Sequence, residues 1–139
     1  MDKPSLSTRK LARKLLAASQ TEAHTNIPQV VLVSERLRVA LTRFAGADGF
    51  TSLLRRAMVL ASAEVPALRV VRVSTTGRLE GLEDVAFQPD IGMDAAVAIT
   101  AQVLELLITF IGEPFTMRLV RDAWPNESLD GPLSRIEDD

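Results

Sequence analysis

The sequence predicts a mostly α-helical domain of about five helices, with one β-hairpin between the third and the fourth. Three observations carry that reading. Residues 95–111 form a nearly unbroken apolar run, closed by Gly112-Glu113-Pro114. Apolar residues recur at spacings of three and four through residues 30–44 and again through 50–61, the period of a helix with one buried face. Only residues 68–82 switch to the interleaved pattern of a hairpin.

At 139 residues the chain has the size of one ordinary domain, able to bury roughly two-thirds of its unfolded surface. An apolar fraction of 47% with 24% charged residues is that of a folded globular protein rather than a disordered one. The formal net charge of −2 gives no whole-molecule field that would draw nucleic acid. The distribution is less even than the total. Residues 1–20 carry Lys3, Arg9, Lys10, Arg13 and Lys14 against Asp2, whereas residues 126–139 carry five acids against Arg135. A basic head and an acidic tail can attract each other or bind separate partners, although short charged ends are commonly just solvated.

The first helix is expected from Ser7 to Ser19, capped by Ser5 or Ser7. Leu11, Leu15 and Leu16 make its apolar side, and Arg9, Lys10, Arg13 and Lys14 its basic side. Gln20 to Asn26 reads as a loop. A second helix starts with Pro28 in its first turn and runs to about Ala45, burying Val30, Val33, Leu37, Leu41 and Phe44. The β-branched run at its start leaves a strand as the alternative there. Gly46 stops it, and Asp48 is the expected N-cap of a third helix that buries Phe50, Leu53, Leu54, Ala57, Leu60 and Ala61. Pro66 ends that helix, because the residue before a proline is pushed out of helical geometry. The short connection between the two predicts an antiparallel helical hairpin.

Leu68 to Ser74 is expected as a strand, Thr75 to Arg78 as a turn and Leu79 to Leu82 as the return strand. A two-stranded hairpin is marginal by itself, so it must pack on helices or pair with another chain. Glu83 to Pro89 is a connector. The long apolar helix follows, capped by Asp90 or Asp94, with Gln102, Glu105 and Thr109 as its single polar stripe and neighbours on most other sides. It is expected to end or kink at Gly112-Pro114. Glu105 near its middle would cost about 3 kcal/mol in a bilayer, so a buried core helix is the better account than a membrane span. Phe115, Leu119 and Ala123 continue an apolar face, and Arg118 with Asp122 can pair at i, i+4. The expected organisation is therefore residues 1–20 as a basic amphipathic helix, 27–125 as the body, and 126–139 as an acidic mobile tail.

No constellation in the sequence carries chemistry. The absence of cysteine removes disulfides, thiolate metal sites and cysteine nucleophiles together. The single histidine, His24, stands in a polar stretch without a second ligand. Glu105 and Glu113 are eight apart and better explained as an exposed stripe and a helix start than as an acid–base pair. Thr75-Thr76-Gly77 is too sparse to cradle a phosphate. No cofactor and no metal are therefore expected.

What remains is surface. The basic face at Lys10, Arg13 and Lys14 can dock on an acidic partner or membrane surface; it lacks the aromatics and the reader motif of a nucleic-acid site. Trp124 beside Arg118 and Arg121 has the composition of a binding hot spot, although a core cap in a protein with few aromatics is the favoured reading. The all-round apolarity of residues 95–111 and the open edges of the hairpin point toward self-association. The expected function is a non-catalytic intracellular interaction or regulatory module, as a homodimer or a subunit of a larger assembly, with a peripheral membrane adaptor as the rival. No secretory signal is recognisable, and a cytoplasmic location is the default.

Overall fold

The computed structural model describes residues 5–20, 29–81 and 92–125. The expected loop with His24, Pro28, the connector, the Asp90 cap and the acidic tail lie outside the described residues. Within them the protein is mostly helical with one small antiparallel sheet. Helix α1 spans Leu6–Gln20, α2 Gln29–Glu64, α3 Gly92–Ile111 and α4 Glu113–Ala123. A 3-10 turn over Pro66–Val70 and the strands β1 (Arg72–Val73) and β2 (Leu79–Glu80) lie between α2 and α3.

Of the two caps offered for α1, Ser5 is the one used: its hydroxyl accepts the backbone N–H of Thr8 at 3.2 Å and lies 3.0 Å from the Thr8 hydroxyl. Leu11, Ala12, Leu15 and Leu16 are all buried against the body. The start of α2 is helix, as its apolar stripe favoured, and not the alternative strand.

The second and third predicted helices form a continuous run, α2, whose helical geometry breaks only at Gly46 (φ 84°, ψ 163°). That backbone region is essentially open to glycine alone. It lets the second arm, 47–64, resume at the very next residue, so Asp48 is not an N-cap but sits inside the arm's first turn, where a carboxylate suits the helix dipole. Val33 and Leu37 of the first arm line the same small cavity as Phe50 and Leu54 of the second. A straight helix would hold Leu37 and Phe50 about 20 Å apart, so the arms fold back on each other as an antiparallel hairpin. Gly112 (φ 88°, ψ 155°) repeats this elbow between α3 and α4.

Helix α3 is the centre of the bundle. It packs on α1, α2 and α4, and thirteen of its residues are buried, including Ala95 through Leu104 without interruption. Its length and apolarity would suffice to cross a membrane, and the helices around it bury most of that surface. The expected exposed stripe grades along the axis: Gln102 is buried, Glu105 half-buried and Thr109 exposed. The stripe leaves the covered middle of the bundle and reaches its open end only at Thr109. In α4 the buried positions are Thr116, Met117 and Val120, with Trp124 just beyond; Phe115, Leu119 and Ala123 flank them half-buried. The fully buried Trp124, Phe50, Leu15, Leu16, Leu54, Leu68, Ile99 and Leu104 each stabilise the fold by about 1.5–3 kcal/mol.

The hairpin is shorter than expected and starts later. Pro66 opens a 3-10 turn whose Leu68 is wholly buried, so the chain is anchored before it can extend, and pairing is limited to Arg72 with Glu80 and Val73 with Leu79. Ser74 organises the turn, its hydroxyl accepting the N–H groups of Thr76 and Arg78. The tip presses on α2, where a Cβ on Gly77 would come within 2.9 Å of the Thr51 hydroxyl. Glu35 tethers it from the first arm, bonding Arg38 at 2.8 Å and approaching Arg78 at 3.6 Å. The hairpin is thus seated on helices rather than waiting for another chain.

Candidate functional site

Helix α4 lies antiparallel along the first arm of α2, fixed at both ends. At the elbow end Phe44 meets Phe115 edge to face, ring centroids 4.7 Å apart at 84°. Eight positions back along the arm, Arg36 donates to the Ala123 carbonyl at 2.6 Å and lies 5.5 Å over the Trp124 ring. A cation at that carbonyl answers the negative end of the α4 dipole.

This register defines a surface. From the arm, Val39, Arg43 and Phe44 face out; from α4, Pro114, Arg118, Arg121 and Asp122 do. Phe44 is 51% exposed and Phe110, at the end of α3, is 59% exposed. The chain has five phenylalanines and one tryptophan. The core takes Phe50 and Trp124, Phe87 lies outside the described residues, and the other three stand beside the two elbows. Phe44 was expected on the buried face. It is exposed because the apolar stripe of the arm runs to the edge of the bundle, where Phe115 covers only one side of its ring.

The six residues expected at a partner contact are placed differently from one another. Lys10, Arg13 and Lys14 are exposed on the outer side of α1, while neighbouring Arg9 is half-buried and bonded to Glu64 at 2.5 Å. Arg118 and Arg121 are exposed on α4. Trp124 is only 2% exposed, so it is a core cap and not a surface contact; the cover over it is Arg36. The structure therefore separates Trp124 from the arginines beside it in sequence and puts Phe44 and Phe115 in its place. A signal for this was present: Phe44 and Phe110 each stand two residues before an elbow glycine, where a helix runs out of neighbours.

Elsewhere the described residues hold little polar chemistry. A cavity of about 10 Å³ between α3 and both arms of α2 is mainly apolar, lined by Leu37, Phe50, Ile99 and Val103 together with Ser34 and Thr100. Its volume is on the scale of one water molecule. Glu105 is half-buried on α3, and Glu113 occupies the first turn of α4. Among the described residues, no three acidic or histidine side chains gather where they could hold a metal ion. No protein-family model, no curated protein and no solved structure matches the chain.

Proposed function

We propose that the protein is a non-catalytic interaction module that associates with itself or with a partner subunit through the outer face of α4 and the first arm of α2. The observation that carries the reading is the exposure of Phe44, edge to face with Phe115, beside the exposed arginines of α4. Aromatic side chains and arginine are the residues enriched at protein interfaces, and large aromatics left in water are costly unless covered. The anchors of this face are Phe44 and Phe115, with Arg43, Arg118 and Arg121 as its polar rim.

Sedimentation velocity across the micromolar range tests this reading. Concentration-dependent association is expected, weakened by Phe44→Ala and by Arg118→Ala with the helical signal unchanged. A strict monomer at every concentration, together with no stoichiometric partner in native-mass analysis of the purified complex, overturns it.

The rival, docking on an anionic membrane, keeps only part of its motivation. Leu11, Leu15 and Leu16 of α1 are committed to the core and only Leu6 among its leucines is exposed, so a membrane contact there would be mainly electrostatic through Lys10, Arg13 and Lys14. Vesicle sedimentation that is abolished when these three become Glu favours the rival.

A further inference from the structure

Residues 126–139 carry Glu127, Asp130, Glu137, Asp138 and Asp139 against Arg135, a formal −4, with Leu129, Leu133 and Ile136 between the charges. The outer face of α4 and the first arm of α2 carries Arg43, Arg118 and Arg121 against Asp122, beside Phe44 and Phe115. The segment is acidic with apolar residues among its charges, complementary to a face that is aromatic and net basic.

It also begins at that face. Residue 126 follows Trp124-Pro125 at the end of α4, the helix that carries Arg118 and Arg121. Fourteen extended residues reach about 45–50 Å, whereas the eleven residues of α4 span only about 16 Å, so the segment can reach all of the face. Covalent linkage holds it there at an effective concentration of order millimolar, enough to populate a contact made of weak surface ion pairs. The basic side of α1 offers similar charge without this proximity or the exposed aromatic rings.

We infer that the chain's own segment 126–139 docks on the Arg43–Arg118–Arg121 face of α2 and α4, where it competes with the partner surface described above. The inference rests on that reading for its consequence, since a segment bound there regulates association. Because the contact is ionic and exposed, it weakens as salt shortens the screening length.

The chain has no cysteine, so Ser134→Cys gives a unique attachment point for a nitroxide label on the full-length protein. Paramagnetic broadening is expected at the amides of residues 39–44 and 115–121 at low ionic strength. It should persist when labelled chains are diluted with unlabelled, isotope-silent protein, and vanish in about 0.5 M NaCl, where the screening length is only about 4 Å. Arg43→Glu with Arg118→Glu should abolish it, while Lys14→Glu on α1 leaves it intact. Broadening confined to α1, broadening lost on dilution, or none at all overturns the inference. Sedimentation of the same samples reports association independently: loss of tail contact in a chain that still assembles defeats this inference alone, whereas a tail that docks at low salt in a chain that stays monomeric and without a stoichiometric partner at about 0.5 M NaCl, where the tail is released, defeats only the proposed function.

Discussion

Arg36 closes over Trp124: its guanidinium lies 5.5 Å above the indole ring and donates to the carbonyl of the preceding residue, Ala123, at 2.6 Å. One side chain thereby covers the sole tryptophan, satisfies a helix-terminal carbonyl and locks α4 onto the first arm of α2. Neither residue is near the other in sequence. The contact fixes the surface on which the proposed function depends.

Replacing Arg36 by Ala should cost about 1–2 kcal/mol, from a lost charge-assisted hydrogen bond and a partly desolvated cation–π contact. Lysine should restore only part of this, because an ammonium cannot lay a plane on the ring. Trp124 is its own reporter, since its fluorescence is expected to shift to the red on urea unfolding and, in Arg36→Ala, to be redder already in the native state. An unchanged midpoint and native spectrum would show that the clamp contributes nothing.

Gly46 and Gly112 make the same elbow, with φ of 84° and 88°. A Cβ at Gly46 would touch nothing within 4 Å, and one at Gly112 would meet only the ring of Pro114 at an ordinary 3.8 Å. Substitution by Ala therefore tests the backbone without a steric clash. Each variant should lose about 1–3 kcal/mol, the usual penalty for forcing an L-residue into a glycine-only region. Equal stability of Gly46→Ala and the parent in denaturant titrations would mean that the elbow relaxes to another geometry.

Most of the helical framework was legible, because burial imposes its period on the sequence: Leu11, Leu15 and Leu16, then Val30, Val33, Leu37 and Leu41, and the apolar run of α3 all fall where their spacing places them. The misreadings cluster where one local signal competes with a longer-range one. Val70, Val71 and Val73 favour a strand, but Pro66 and the buried Leu68 hold a 3-10 turn first. Phe44 continues a helical stripe, yet it stands at the edge of the bundle with Phe115 on one side and solvent on the other. Asp48 resembles an N-cap, but the geometry of Gly46 needs no capping segment. The Arg36–Trp124 contact was the least legible, since pairings between distant segments leave no periodic trace. Trp124 read as a core cap ahead of a hot spot, but what covers it stayed open until the helix across from it was known.

Ser34 and Thr100 line the small cavity, and among the described residues neither hydroxyl has a hydrogen-bond partner within the protein. A buried hydroxyl without a partner costs its desolvation, whereas an apolar group of the same shape does not. Thr100→Val should therefore be neutral or stabilise by about 1 kcal/mol, an unusual outcome for a wholly buried position. Leu104→Ala, one turn along α3, supplies the contrast: it opens a void and should cost about 2–5 kcal/mol. Calorimetric midpoints for the two variants would decide the matter, and a destabilised Thr100→Val would mean that the hydroxyl is satisfied in solution.

The pair formed by Arg9 and Glu64 ties the first turn of α1 to the last of α2, with side chains only 21% and 17% exposed. Most ion pairs at a surface contribute little, because water and mobile side chains offset the attraction. This one is partly shielded, and it joins α1 to the far end of the second arm of α2, so its loss should act on the docking of α1 rather than on the whole bundle. A double-mutant cycle with Arg9→Ala and Glu64→Ala should give a coupling of about 1 kcal/mol, beyond that of a fully exposed pair. Hydrogen exchange locates the effect: amides of α1 should lose protection in either single variant while those of α3 keep theirs, as expected when a peripheral helix opens before the core. Coupling near zero, or equal loss of protection in α1 and α3, would show that the buried leucines alone hold α1 in place.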